Sequence, residues 1–522
     1  MNPSYLQGEA ERILTRRTFL TRSSTGLGAM ALASLLPAHL RGASGNPTTQ
    51  AVPGALKALH LPPKAKRVIY LFQSGAPSHL DLFDPKPKLK EMTGQELPPS
   101  VRRGQRITGM TAGQSVLKCV GSPFEFKKYG KSGMEITSLM PNIGAVADDI
   151  SLIRTMHVDA INHDPAVTFF GTGNQQPGRP TMGSWIAYGL GSENANLPSY
   201  VVLVSGSGGQ SLQARYWGNG FLSANYQGVQ LRSQGDPVLY VSNPPGMSGD
   251  SRRQLLDAMQ TLNRKRLGIL GDPDIASHID SYELAFRMQT SVPELVDLST
   301  EPESVLKLYG AQPGKSSFAN NCLLARRLAE RGVRFIQLCH RDWDHHGGLP
   351  DGIKAQTRNT DQASGALIQD LKQRGLLDDT LVVWGGEFGC TAYSQGDISP
   401  NSFGRDHQSF ARREAPGRRG SFRAAREGRG RSLIKRAPDR SRSAGGRSGN
   451  GAEEGNPILD EGHPQRCRLS DRTVPPLQRS SVHRLVGHDS ALIAVRKSFA
   501  IGGTPLDTFK ILLNYLPRLI KP

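Results

Sequence analysis

The feature of this sequence that most restricts its fold is a repeated order of amphipathic segment, glycine and unbroken apolar run. Residues 317–332 have apolar side chains at helical spacing and end in glycine, and an apolar run, residues 333–340, follows at once. Residues 361–375 repeat this pattern ahead of a second run, residues 380–389. Apolar runs without alternation are typical of strands buried on both faces, and the helices between them are the crossovers that parallel strands need. We therefore predict an α/β fold with a mostly parallel central sheet and helices on both faces.

Three more apolar runs, earlier in the chain, are assigned to the same sheet: residues 67–75, 150–156 and 200–209. The chain has 522 residues, of which 37% are hydrophobic and 21% charged, a composition that indicates a globular protein rather than a fibrous or wholly disordered one. No stretch holds the roughly 18 consecutive apolar residues that a membrane-spanning helix needs. One large domain, residues 60–407, accommodates all five runs.

The first 45 residues carry a targeting pattern that is set apart from the fold. Residues 15–20 read TRRTFL, a twin-arginine pattern, and a short apolar segment at 26–36 and the small residues 42–45 follow it. This order is typical of a Tat export signal, and an ordinary basic amphipathic helix is the alternative. We predict export through the Tat pathway to the periplasm or the cell exterior. We expect no membrane span other than this signal, which would itself remain only if it is not cleaved.

Acidic and histidine residues gather near the predicted strand ends. They are His79, Asp81, His163, Asp344, His346, Glu387 and His407. Because the carboxyl ends of parallel strands lie at one edge of a sheet, these side chains are expected near one rim. Asp344 and His346 are two residues apart, so in an extended segment both point to the same side, as two ligands of one ion must. Carboxylates combined with imidazoles suit zinc, manganese or iron better than calcium. The alternative is a solvated loop of turn and capping residues.

Five segments of the chain resemble, in order, the exported, planctomycete-type proteins of the DUF1501 family. The segments are YLFQSGAPSHLDLFDPKPKL, TMHVDAINHDPAVTFFGTGNQQPGRPTMGSW, HRDWDHHG, VVWGGEFG and GRDH. The resemblance runs from about residue 60 to His407. It implies an alkaline phosphatase-like fold, in the superfamily that also contains sulfatases, with one or two divalent metals at the carboxyl edge of the sheet.

The resemblance also implies which residues bind the metal. The implied ligands are Asp344, His346, Glu387, His407 and the earlier Asp81, with His79 as a ligand or a partner of one. The implied chemistry is a metal-assisted displacement on a phosphate or sulfate ester. We expect a divalent zinc, manganese or iron cofactor and a small anionic ester, or a sulfated or phosphorylated glycan, as the binding partner.

The resemblance leaves the nucleophile open. Superfamily enzymes place a serine, threonine or modified cysteine at a helix start near the second strand, where this chain offers His163 and Thr168. A metal-bound hydroxide is the alternative. The sulfatase modification motif C-x-P-x-R occurs at none of the five cysteines, so a formylglycine sulfatase is disfavoured. Arg179 or Arg405 is expected to clamp the anion, and a turn role is the alternative for Arg179.

The chain departs from the family pattern at Cys390 and again after His407. Cys390 stands where the family has arginine, and Gln408 leads into an arginine-rich stretch with almost no apolar periodicity. About half of the net charge of +19 lies in residues 412–484. Such a composition predicts disorder for residues 408–522. An alternative hypothesis is a frameshift near codon 407, since a GC-rich gene read out of frame yields this composition.

Three classes of function remain. The first is an exported metal-dependent hydrolase of phosphate or sulfate esters. The second is a non-catalytic protein of the same fold that binds glycans or other anions. The third is a polyanion or nucleic-acid binder that uses the arginine-rich residues through phosphate contacts, without a specific nucleic-acid target. The sequence does not indicate an oligomeric state.

Overall fold

The computed structural model of the protein describes ten ranges of the chain. These are residues 54–56, 64–102, 107–156, 158, 160–208, 212–232, 236–238, 242–399, 402–408 and 490–495. The predicted export signal and the arginine-rich stretch lie outside the described residues, so both stay predictions. Within the described ranges, no helix has the length and apolar character needed to cross a bilayer.

The described strands form one large sheet and two small ones. In chain order they are β1 (Arg67–Gln73), β2 (Phe126–Tyr129), β3 (Met134–Thr137), β4 (Ile150–Met156), β5 (Tyr200–Ser205), β6 (Val229–Leu231), β7 (Phe335–His340), β8 (Thr380–Gly385), β9 (Gly389–Gln395), β10 (Gly404–Gln408) and β11 (Ser490–Val495). The large sheet has the order β4-β11-β8-β1-β7-β5-β6, and β2–β3 and β9–β10 form antiparallel pairs. The five strands from β8 to β6 are parallel, whereas β11 is antiparallel to both of its neighbours. All five predicted runs contain a strand of this sheet.

Helices cover both faces of the large sheet. They are α1 (His79–Leu82), α2 (Pro87–Glu91), α3 (Pro99–Arg102), α4 (Pro141–Ala145), α5 (His163–Thr172), α6 (Met182–Leu190), α7 (Gly249–Leu270), α8 (Pro273–Val296), α9 (Glu303–Tyr309), α10 (Phe318–Glu330) and α11 (Leu349–Gln373). On one face, Ile69 of β1 belongs to a buried cluster with Leu323 of α10 and Leu367 of α11. On the other face, Tyr70 belongs to a cluster with Val167 of α5. Successive strand residues point to opposite faces, so both faces of β1 are buried, and the predicted α/β class is confirmed.

The last long helix begins earlier than the sequence predicts. The prediction places a helix in residues 361–375, but α11 begins at Leu349. Pro350 lies in its first turn, where the missing N–H has no helical partner to lose. Gly352 lies under the imidazole of His345, where a Cβ atom would approach ring atoms to 2.3 Å. Proline and glycine are frequent in turns, but both of these residues are part of the helix.

Strand β11 joins β4 to the rest of the sheet. Among the described strands, β4 pairs with β11 alone, and β11 pairs on its other side with β8. Because β4 and β8 are both antiparallel to β11, they run in the same direction, and their carboxyl ends share one edge. The six residues of β11 lie in the region predicted to be disordered or out of frame. Apart from Gln408 and this strand, that region lies outside the described residues, and its prediction stays untested.

Candidate metal centre

Four side chains meet beyond the carboxyl edge of the sheet: His163, Asp344, His346 and His407. Asp344 Oδ2 lies 3.2 Å from His163 Nε2, and its Oδ1 lies 3.0 Å from His346 Nε2 and 3.3 Å from His407 Nε2. One nitrogen or oxygen atom from each residue lies within 4.8 Å of those of the other three. One carboxylate is thus surrounded by three imidazoles, as around a single small cation.

These four residues come from three separate parts of the fold. His163 is the first residue of α5, in the connection that follows β4, and His407 lies in β10. Asp344 and His346 lie in the loop between β7 and α11. Parallel strands end at the same edge of the sheet, so two of these connections reach the site directly. The third reaches it through the β9–β10 hairpin that follows β8.

A buried tryptophan holds the loop that carries Asp344. Trp343 is 1% exposed, and its Nε1 donates a hydrogen bond to Gln73 Oε1 at 2.8 Å. Its backbone N–H donates to the carbonyl oxygen of Ser74 at 3.2 Å. Its ring also meets Trp384 of β8 edge to face. This anchor fixes the position of the neighbouring Asp344.

The loop after β1 approaches the Asp344 loop so closely that only glycine fits at residue 75. Gly75 has φ +111°, and a Cβ atom there would lie 2.5 Å from the backbone nitrogen of Asp344. Its N–H donates to Glu387 Oε1 at 2.9 Å. Gly75 therefore ties the segment that follows β8 to the wall of the cluster.

We expect Gly75→Ala to destabilise the protein and to disturb the cluster. The backbone conformation alone costs about 1–3 kcal/mol for a residue with a Cβ atom. The clash with the Asp344 backbone adds to this cost. Urea unfolding measures the loss, and Gly94→Ala is the matched control, since Gly94 also has positive φ but has open space around its Cβ position. Equal losses in the two variants would contradict a special packing role for Gly75.

Several atoms of the cluster lack hydrogen-bond partners. His163 Nε2, Asp344 Oδ1 and both ring nitrogens of His407 are buried without one. Buried polar atoms without partners are costly, so such a group is typical of a ligand-binding site. Imidazole nitrogens and a carboxylate oxygen are ligands of zinc and related transition metals. The residues present therefore fit a divalent metal ion.

The cluster shifts the pKa values of its members in opposite directions. Burial opposes the charged form of Asp344, but the three imidazoles outweigh it and hold the Asp344 pKa well below its usual range. Burial also opposes a charged His163, but the neighbouring carboxylates of Asp344 and Glu387 outweigh it and raise the His163 pKa to about 9. His407 is more deeply buried, and burial lowers its pKa. A negative charge on Asp344 is therefore stabilised at neutral pH.

Three other predicted site residues lie outside the four-residue cluster. Glu387 is fully buried and contacts the cluster at His163, whose Nδ1 lies 2.7 Å from Glu387 Oε1. The Thr168 hydroxyl donates to the backbone oxygen of Asp164 at 2.7 Å, inside α5. Arg179 is exposed, between α5 and α6. The structure thus places Glu387 beside the cluster and turns the Thr168 hydroxyl to the helix backbone.

The early pair, His79 and Asp81, belongs to a different arrangement. The Asp81 carboxylate receives hydrogen bonds from Arg405 at 2.8 and 3.3 Å, and also from the Ser78 hydroxyl. His79 is buried in α1, and its Nδ1 accepts a bond of 3.5 Å from the Cys390 N–H. Burial lowers the His79 pKa to about 4. Asp81 therefore has an arginine as its partner, and the predicted ligand roles of these two residues remain predictions.

The guanidinium of Arg405 also forms several hydrogen bonds within the protein. Besides Asp81, it donates to the backbone oxygens of Val120 and Thr391, both at 3.0 Å. Its side chain is fully buried. These bonds direct the guanidinium into the protein, and the predicted role of Arg405 as an anion clamp stays a prediction.

One residue that contacts the cluster, Gln395, was not predicted from the sequence. Its Oε1 lies 2.6 Å from His346 Nδ1. Gln395 reaches this position because β9 and β10 form a hairpin, a pairing that was not predicted from the sequence. In contrast, His340 of the histidine-rich segment has a purely internal environment, with its ring nitrogens 2.9 Å from Ser205 Oγ and Gln356 Oε1.

Comparison with known proteins finds a family and several solved structures. The family described as "Protein of unknown function (DUF1501)" matches residues 65–412. Alkaline phosphatase from the Antarctic bacterium TAB5 is 11% identical, with 63% of this chain and 80% of that chain covered, at a TM-score of 0.25. A mutant of TAB5 alkaline phosphatase with Mg bound in its M3 site is 12% identical, with coverage of 66% and 88%, at 0.25. The lipoteichoic acid synthase LtaP from Listeria monocytogenes is 10% identical, with coverage of 63% and 57%, at 0.19. No curated protein matches the chain.

Proposed function

Since this chain belongs to the DUF1501 family, whose function is unknown, we propose a function from its own residues: an exported hydrolase that uses a divalent metal to cleave small phosphate or sulfate esters. The observation that supports it is the cluster of His163, Asp344, His346 and His407, in which buried nitrogen and oxygen atoms face one another without partners. The twin-arginine pattern of residues 15–20 supports export.

The four cluster residues would hold the metal, and zinc, manganese and iron suit this donor set. The bound ion would supply Lewis-acid polarisation of the ester oxygens. Solvent reaches the cluster mainly at His346, since the side chain of His407 is 5% exposed and that of His346 is 25% exposed. An anionic ester would therefore approach from the side of His346, with His407 at the floor of the site.

Water is the nucleophile that the contacts favour. The Thr168 hydroxyl is hydrogen-bonded within α5, and His163 lies between Asp344 and Glu387 with both ring nitrogens facing carboxylates. Neither side chain is in a position to attack an ester without first giving up these contacts. We propose that the protein residues bind and orient, and that water attacks. The exposed Arg179 keeps its predicted role as an anion clamp in this proposal.

We expect the purified protein to contain about one divalent transition-metal ion per chain, because the four ligand atoms are arranged around one position. Mass spectrometry of the metal content checks this. Turnover of p-nitrophenyl phosphate and p-nitrophenyl sulfate checks the activity. Chelation should abolish turnover, and added metal should restore it. A well-folded protein without metal would contradict the proposal, whereas bound metal without turnover of any ester would favour the non-catalytic, anion-binding alternative.

A further inference from the structure

Two imidazoles of the cluster contact a side-chain oxygen through the ring nitrogen that faces away from Asp344. His163 Nδ1 lies 2.7 Å from Glu387 Oε1, and His346 Nδ1 lies 2.6 Å from Gln395 Oε1. In both rings Nε2 is the nitrogen that faces Asp344. In both rings the Nε2 atom thus points into the cluster and the Nδ1 atom points away from it.

The contacts of Glu387 determine which nitrogen of His163 carries the proton. Glu387 Oε1 accepts a hydrogen bond from the Gly75 N–H at 2.9 Å, so it is an acceptor oxygen. His163 Nδ1 must then be the donor in their 2.7 Å contact. A histidine that binds a metal is neutral, and with the proton on Nδ1 its lone pair is on Nε2, the buried nitrogen that has no hydrogen-bond partner. A metal ligand needs that lone pair.

The segment that contains Glu387 is held firmly in place. The Glu387 side chain is fully buried, and its bond from Gly75 connects it to the loop after β1. The next residue, Phe388, packs on the rings of His163 and His407, with centroid distances of 5.0 and 4.3 Å. Glu387 is therefore fixed relative to the histidine that it contacts.

We propose that Glu387 is a positioning residue of the metal centre, which holds His163 with its proton on Nδ1 so that Nε2 binds the ion, and that Gln395 does the same for His346. This inference rests on the proposed function, because it needs a metal at the cluster. It replaces the direct ligand role that the family resemblance implies for Glu387. Loss of such a hydrogen-bond partner typically weakens metal binding by about 10–100-fold.

A double-mutant cycle on zinc affinity tests the proposal. The dissociation constant for Zn²⁺ is measured by competition with a chromophoric chelator in the wild type, Glu387→Met, His163→Ala and the double variant. We expect Glu387→Met to weaken binding by about 10–100-fold in the wild-type background and by less than about 3-fold when His163 is already alanine. Glu387→Gln retains an acceptor oxygen and should keep most of the affinity.

The outcomes separate the possible roles of Glu387. An equal loss of affinity in both backgrounds would make Glu387 a direct ligand and overturn the proposal. Unchanged affinity in Glu387→Met would also overturn it, because Glu387 would then have no role in metal binding. A wild-type protein that binds no metal would overturn the proposed function and this inference together. If Glu387→Met does not fold, the cycle of Gln395→Met with His346→Ala decides in the same way, because Gln395 is only partly buried.

Discussion

Asp344→Asn is expected to empty the metal centre and to abolish ester hydrolysis. Asp344 is the only carboxylate of the cluster, and its oxygens lie within 3.3 Å of an Nε2 atom of all three histidines. Asparagine keeps the size of the side chain but removes its negative charge. The loss of metal affinity should therefore exceed the ~10–100-fold that removal of a supporting residue causes. Metal content and p-nitrophenyl ester turnover of the purified variant measure the effect.

Asp351→Asn is the matched control for this variant. Asp351 lies in the first turn of α11, and its exposed carboxylate pairs with Lys354 at 3.1 Å. Exposed pairs contribute about 0–1 kcal/mol, so stability, metal content and turnover should stay close to those of the wild type. Full metal content in Asp344→Asn would contradict the assignment of the cluster as the metal centre.

Arg405→Met is expected to destabilise the protein by about 3–5 kcal/mol, as is typical when one partner of a buried ion pair is removed. The side chains of Arg405 and Asp81 are both fully buried, and their closest atoms are 2.8 Å apart. The variant leaves a buried carboxylate without its arginine and two backbone oxygens, those of Val120 and Thr391, without this donor. Urea unfolding measures the change.

The double variant Asp81→Asn/Arg405→Met separates charge from packing. Without the Asp81 carboxylate, the buried charge that Arg405→Met leaves unpaired is gone, so the double variant should be more stable than Arg405→Met. Asp81→Asn alone should keep its metal, because Asp81 contacts Arg405 and Ser78. Metal loss in Asp81→Asn would show that the ligand role implied by the family resemblance is correct.

The sequence predicted the strands well because their signal is local. Each of the five apolar runs contains a strand of the large sheet, as continuous burial on both faces requires. The order of the strands depends instead on pairing between distant segments, so it cannot be predicted from local sequence patterns. For the same reason the place of β11 between β4 and β8 was not predicted.

The cluster was predicted better than the roles of its members. Asp344, His346 and His407 were expected near one rim because of strand ends and family resemblance, and the structure brings them together. His163 was expected there too, but as a candidate nucleophile, although its position suits a ligand equally well. Whether a carboxylate faces a metal or a histidine depends on distances of a few ångströms, which only the packed structure fixes. The contact between Glu387 and His163 is an example.

The position of β11 has a consequence for the order in which the chain folds during synthesis. Ile150 of β4 pairs with Val495, which the ribosome adds long after β4 and β8 are complete. Until then, among the strands that the structure describes, β8 has an unpaired edge and β4 has no neighbouring strand in the sheet. Strand β4 precedes the α5 helix that carries His163. Unpaired strand edges invite aggregation of nascent chains. The large sheet is therefore completed only after residue 495 has been made, and a chain that stops before β11 has one side of its metal centre unsupported.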